Sequence, residues 1–337
     1  MSVRVLLPPR IQGSVPEGRI AILRGRSMGC GWSVMFVSTD DADLARLAPG
    51  IEAVLRLVVE QMSTWEPGSA ITRFNRAVAG SWLPMPQEFA LVLACALHVA
   101  RASGDALDPT AGALARLWGF GAQGRYNEPG FALPAIDVIA STKQRSGWQK
   151  LQVNTQTMQV LQPGGLELDF SAVAKGFAVD EVCRYLRSEG IHHHLVDIGG
   201  ELRGAGMKPD GQPWWVEVQL PADCKGAVPT RVALHGLAVA TSGDYLQGFT
   251  ADGRSYSHCI DPRSGTPIDN GVCSVTVLHA MCMQADAWST ALMVLGVEAG
   301  MALADDEQLA AQWLLHAEGG VTEHCSRAWH ALVAEAA

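Results

Sequence analysis

Apolar residues recur at helical spacing from Ala42 to Thr64, where leucines, valines and an isoleucine line one face. Trp65-Glu66-Pro67-Gly68-Ser69 breaks that pattern. A second helix is expected from about Pro86 to Ser103, closed at Gly104. A third runs from Phe170 to Ser188 before Gly190, and a fourth from about Gln284 to Leu295 before Gly296. Between them lie shorter apolar runs with strand character. Met28 to Thr39 is entered through a glycine-flanked turn, and Leu151 to Leu168 alternates as hairpins do. His194 to Leu202 has a Gly-Gly inside it, and Trp214 to Leu220, Val232 to Ala240 and Cys273 to His279 follow. Gln123 to Pro134 is a polar connection without period. Helices and strands mix without strict βαβ alternation, which favours an α+β fold over a doubly wound parallel sheet. Residues 1–20, rich in Pro, Gly and Arg, read as a flexible N-terminal arm, and residues 21–337 as a two-lobed single domain.

Composition narrows the function. With 337 residues, 48% of them hydrophobic, the chain can bury a substantial core. A formal net charge of −9 gives no bulk attraction for nucleic acid or anionic lipid, so an anionic ligand would need local donors or a metal. No segment reads as a membrane span, and the start has only the apolar run Val5 to Leu7 before Pro8 and Pro9, too short for a secretory signal. The expected location is cytoplasmic, without membrane insertion. The eight cysteines, at 30, 95, 183, 224, 259, 273, 282 and 325, contain no Cys-x-x-Cys pair and read as buried reduced thiols. The His192-His193-His194 run lacks a spaced partner and reads as a solvent-facing turn.

Four polar clusters stand at the ends of apolar elements. Asp105-Ala106-Leu107-Asp108-Pro109-Thr110 is by itself an ordinary turn and helix start. Asp169 to Asp180 carries Lys175 in the first turns of a helix, where the positive dipole end prefers anions. A phosphate there would explain the lysine; a solvated lysine on an amphipathic helix is the plainer account, and both stand. Thr241-Ser242-Gly243-Asp244 and Ser257-His258-Cys259-Ile260-Asp261 form two polar loops in which His258 is either locally bonded or a general base. Asp286 and Thr290, one turn apart on an otherwise apolar helix, are either a helix-start residue with a back-bonding hydroxyl or ligands for a hard cation. No Gly-x-Gly-x-x-Gly opens a helix, and no Walker A lysine or His-Glu-x-x-His is present, which disfavours a dinucleotide dehydrogenase, a P-loop ATPase and a zincin.

In order and spacing these clusters resemble the ApbE family of flavin transferases. The likeness takes in Met28-Gly29, Met62 to Ser69, Arg73-Phe74-Asn75, Ala106 to Thr110 and Trp118-Gly119-Phe120-Gly121. It continues through Asp169 to Asp180, Val196 to Glu201, Thr241 to Asp244, Ser257 to Pro262 and Ala285 to Thr290, covering about residues 24 to 300. The resemblance implies a T-fold-related ApbE-like fold of mixed sheets and packed helices. It implies a Mg²⁺-dependent FAD:protein FMN transferase, with FAD as substrate and an acceptor flavoprotein carrying a Thr or Ser near Gly and Ala. Met28 and Trp65 would line the flavin pocket. Ala106, Leu107, Asp108, Asp169, Lys175 and Ile260 would contact FAD. The carbonyl of Ala172 with Asp286, Ser289 and Thr290 would hold Mg²⁺. His258, oriented by Asp244 or Asp261, would take the acceptor's proton. Ser171-Ala172-Val173 departs from the two glycines and isoleucine common in the family, but the Ala172 carbonyl keeps the ligand. Two rivals use the same site: a Mg²⁺-dependent FAD pyrophosphatase releasing FMN and AMP, and a non-catalytic flavin-binding protein.

Overall fold

In the computed structural model, residues 3–8, 10–11, 13–221, 226–245 and 247–333 are described. Cys224 lies outside them. The frame is an eight-stranded sheet whose neighbouring strands are all antiparallel. From one edge it runs Gly320–Cys325, Ala310–Ala317, Val272–His279, Ala238–Gly243, Glu201–Ala205, His194–Ile198, Cys30–Ser38 and Arg19–Ser27. Strand period sorts the side chains to its two faces. Ala238 and Ala240 enter the larger core with Val275, Val277 and Trp313, while the intervening Val239 joins a smaller one with Leu195, Leu278 and Trp329. Helices Asp43–Met62, Gln87–Ala102, Ala174–Ser188 and Cys282–Asp306 supply most of the rest of the larger core. Slipping any central strand by one residue would exchange the two sets, so burial fixes the register.

Several expectations need correction. Arg4–Leu6, read as part of a loose arm, is a strand pairing parallel with Thr230–Leu234, and Leu6 is fully buried in the smaller core. Its three residues are too few to show a period, and its partner is far away in sequence. His194 to Leu202 is not one strand: Gly199 and Gly200, both at positive φ, turn it into a hairpin of His194–Ile198 and Glu201–Ala205. Val232 to Ala240 likewise divides around Gly236 into Thr230–Leu234 and Ala238–Gly243. His194 is wholly buried on its strand rather than solvent-facing. The third helix starts at Ala174, because Phe170 to Val173 forms the turn before it.

The expectation that no segment could span a membrane also fails on length and composition, since Cys282–Asp306 passes both tests. More than half of its most apolar stretch is buried within the fold, and Gly296, at φ 78°, breaks it into two helical pieces. A helix apolar on all sides inside a protein is a core helix. Asp286 and Gly296 interrupt its hydrophobic run in the sequence and conceal its length.

Candidate functional site

The Ala174–Ser188 and Cys282–Asp306 helices meet at their N-terminal turns. Asp180 accepts hydrogen bonds from the Cys282 and Met283 amides, both at 3.0 Å, and pairs with Arg203. It thereby satisfies two amides that the helix leaves unpaired and places negative charge at its positive end. In return the Gly176 amide donates to Asp286 Oδ2 at 2.9 Å. Such closeness requires glycine: a β-carbon at 176 would lie 2.4 Å from the Cys282 carbonyl oxygen and 2.8 Å from Asp286 Cβ.

Asp286 is held in a nearly dry, charged setting. It is 4% exposed, and Glu201, at 3%, pairs with Lys175. Burial pushes the Asp286 and Glu201 carboxyls upward, and Lys175 only partly opposes this. Burial works against the Lys175 charge, but Glu201 and Asp286 outweigh it and hold the ammonium above its ordinary value. Two buried carboxylates therefore share one ammonium, and Glu201 Oε2 has no hydrogen-bond partner among the described residues.

Hydroxyls gather on the next turn. Ser242 Oγ lies 2.8 Å from Ser289 Oγ and 3.0 Å from Thr290 Oγ1, and Ser289 also donates to the Asp286 carbonyl at 2.9 Å. Ala172, half-buried, stands just before the Ala174–Ser188 helix. The donors offered by Asp286, Ser289, Thr290 and the Ala172 carbonyl are all oxygen, and one of them is a buried carboxylate. Such oxygens are the ligand type that a hard divalent cation takes, so Asp286, Thr290 and the Ala172 carbonyl, with Ser289 adjoining, are the residues that could hold one.

The residues expected around FAD are varied in character. Trp65 is 55% exposed, with the Arg125 guanidinium 5.4 Å from its ring centroid, so much of its aromatic surface is open for stacking. Met28 occupies a left-handed turn position (φ 49°) and packs against the larger core. Ala106 and Leu107 are buried. Asp108 accepts from the Thr110 amide and hydroxyl, both at 2.7 Å, and from the Trp148 amide at 3.2 Å. Burial raises its pKa. Its carboxylate holds this turn together. Asp169 accepts from the Ser171 amide at 2.7 Å and from the Ser171 hydroxyl. Ile260 begins the two-residue strand Ile260–Asp261, paired with Thr266–Pro267.

His258 is set differently from the expectation. Its Nδ1 bonds the Gln247 carbonyl at 3.0 Å. Asp244 instead bonds His316 Nε2 at 2.9 Å, and Asp261 pairs with Arg263. Neither carboxylate orients the imidazole. Asp244 directly follows a strand and Asp261 ends one; each has another partner within reach, and sequence spacing does not reveal those partners. Burial disfavours the imidazolium, but the adjacent Cys259 sulfur and the Gln247 carbonyl more than offset it and raise its pKa. Below His258, Cys259 Sγ contacts Met293 Sδ at 3.8 Å, joining this loop to the helix of Asp286. Beside it Tyr126, Phe249, Tyr256 and Trp118 stack in series at 5.1, 5.2 and 5.5 Å, and Phe120 meets His258 edge-on at 6.3 Å.

Glu201, Asp180, Gly176 and Ser242 were not assigned roles from the sequence. The signal available for Glu201 was an acidic residue directly after Gly199-Gly200 in an apolar run, and for Asp180 a carboxylate inside a helix pattern.

Comparison with known proteins agrees with this geometry. The ApbE family profile matches residues 28–313. An FAD:protein FMN transferase of Klebsiella pneumoniae (strain 342) is 36% identical over 298 residues, 88% of this chain and 84% of the relative. One from Vibrio cholerae is 35% identical over 305 residues, 90% of each. The crystal structure of the Pseudomonas stutzeri flavinyl transferase ApbE, apo form, superposes with a TM-score of 0.86 at 35% identity, covering 96% of this chain and 100% of that one. With the fold, the ordered motifs and these relatives in agreement, the chain belongs to the ApbE family.

Proposed function

We propose that the protein transfers FMN from FAD to a Thr or Ser hydroxyl of an acceptor flavoprotein, in a reaction that requires Mg²⁺. The observation carrying this reading is the buried Asp286 carboxylate with the Ser242, Ser289 and Thr290 hydroxyls clustered on the next turn, on a helix joined through Cys259 and Met293 to the loop of His258. Mg²⁺ bound there supplies charge neutralisation and polarisation of the phosphoryl group. The acceptor oxygen forms the new P–O bond, the anhydride bond breaks, and AMP departs.

A carbonyl oxygen can only accept, so His258 carries a proton on Nδ1 towards Gln247 and its lone pair on Nε2. Nε2 is the atom that removes the acceptor proton as the hydroxyl attacks. Trp65 supports the flavin ring. Lys175 faces the phosphates while Glu201 holds it in place.

The test is an incubation of protein, FAD and Mg²⁺ with a candidate acceptor domain, following the acceptor by mass spectrometry and AMP release in parallel. An acceptor heavier by one FMN, abolished by EDTA and by Asp286→Asn, supports the proposal. His258→Ala should lower transfer by about 10²–10⁴-fold, the usual worth of a general base, while FAD still binds. Transfer at the normal rate by H258A would remove the base assignment. Metal-dependent turnover surviving in D286N would remove the cation site.

A further inference from the structure

Asp244, whose carboxylate does not reach His258, belongs to a second cluster. Its carboxylate, the Cys273 sulfur and a His316 ring nitrogen all lie within 4.8 Å of one another. The residues come from three adjacent strands. Asp244 directly follows Ala238–Gly243, Cys273 lies on Val272–His279, and His316 on Ala310–Ala317. Backbone hydrogen bonds lock the three together: the Asp244 amide donates to the Cys273 carbonyl at 3.0 Å, and the His316 amide to the Gly271 carbonyl at 2.9 Å.

Cys273 is there because the ladder is irregular. Val272 pairs with Leu315 and Ser274 with Leu314, so Cys273 is the extra residue of a β-bulge. Bulges re-aim side chains, and this one adds a thiol to a carboxylate and an imidazole. As a surface ion pair alone, Asp244 and His316 would contribute little, because the imidazole is largely exposed.

We infer that Asp244, Cys273 and His316 form a binding site for a borderline transition-metal cation of the Zn²⁺ class, separate from the all-oxygen site at Asp286. Thiolate, imidazole and carboxylate are the ligand types that such an ion selects and Mg²⁺ does not. Donors about 2.0–2.3 Å from a tetrahedral ion stand about 3.3–3.7 Å apart, so rotations of roughly an ångström close the cluster on the metal. On binding, Cys273 releases its proton to solvent, and His316 moves its remaining proton to Nδ1 so that Nε2 can coordinate. Water fills the fourth position. The site clasps the point where the chain leaves the sheet towards the hairpin of Gly248–Ala251 and Arg254–Ser257 that precedes His258.

Cobalt tests this with a readout independent of activity. Protein stripped with EDTA is exchanged into excess Mg²⁺, which fills oxygen-only sites, and is then titrated with Co²⁺. The expected result is a near-ultraviolet thiolate-to-cobalt band with the strong visible bands of four-coordinate cobalt, saturating at one ion per chain. Cys273→Ser should abolish the thiolate band. His316→Ala should weaken binding at least about tenfold, the lower end of what even an outer-shell partner is worth. A wild-type titration giving only the weak spectrum of six-coordinate cobalt overturns the inference. So does a thiolate band that persists in C273S, which would assign it to another cysteine. If C273S fails to fold, the exposed His316→Ala variant decides: unchanged cobalt affinity refutes the site, and a tenfold loss sustains it.

Discussion

Replacing Gly176 with alanine should loosen the junction that positions Asp286. The new β-carbon would stand 2.4 Å from the Cys282 carbonyl oxygen and 2.7 Å from its carbon, whereas ordinary contact begins near 3.4 Å. The two helices would have to part by the difference, about 1 Å. The obstructing oxygen and carbon are backbone in a turn fixed by Asp180, so no side-chain rotation relieves the overlap. Overpacking of this kind costs about 1–3 kcal/mol, and the rigid partner puts the cost near the upper end. Alanine regains about 1 kcal/mol over glycine in helix propensity. The net expectation is a loss of about 2 kcal/mol, read as a lower midpoint in urea with an unchanged slope. Activity should fall further than stability, since an ångström of misplacement can cost about 10²-fold. AMP release from FAD with saturating Mg²⁺ and acceptor domain, measured well below the unfolding transition, reads this second effect. A G176A protein as stable as the parent and equally fast would show that the helix contact neither carries stability nor places Asp286.

Two further outcomes can be checked directly. Burial pushes the His194 pKa down to about 4, from an ordinary 6.5. A depressed folded value means that stability is fully present above the ordinary pKa and is lost as pH falls through the folded one, a span worth roughly 3 kcal/mol. His194→Asn should flatten the acid limb of the stability profile between those values, measured by urea melts across pH; an unchanged limb would assign it to other groups. Phe249→Ala removes the middle of the ring stack beside His258, where each contact is worth about 0.5–1.5 kcal/mol. FMN transfer should slow while FAD affinity, from fluorescence quenching, stays within about twofold; equal losses in both would place the stack at the flavin instead.

How much of this was legible in the chain depended on the distance between partners. Asp286 and Thr290 stood out because two oxygen-bearing side chains one turn apart on an apolar helix need no tertiary knowledge to notice. Lys175 was conspicuous at a helix start, yet its partner Glu201 lies on another element and comes together with it only when the hairpin closes. Gly199-Gly200 sat between two apolar runs and was absorbed into one strand, because strand period continues on either side of a tight turn. Roles for Asp244 and Asp261 failed for a similar reason: proximity in a loop says nothing about which cation a carboxylate will face. Beyond residue 300 the chain continues the main sheet with Ala310–Ala317 and Gly320–Cys325, whose position depends on pairing rather than on any motif.

The parallel strand Arg4–Leu6 bears on the order of events during synthesis. Its sheet partner is Thr230–Leu234, Leu6 bridges to Val333, and the Leu7 amide donates to the Leu332 carbonyl at 2.8 Å. A ribosome delivers Leu6 well before its companions Trp329 and Val333. Contacts between residues this far apart in sequence are the slowest kind to form, and domains acquire structure as they emerge. The larger core, with its helices, can begin to assemble while the smaller one still lacks Trp329. The segment around Leu6 must wait through that interval with an apolar residue and an unpaired strand edge exposed, a natural point of engagement for a chaperone.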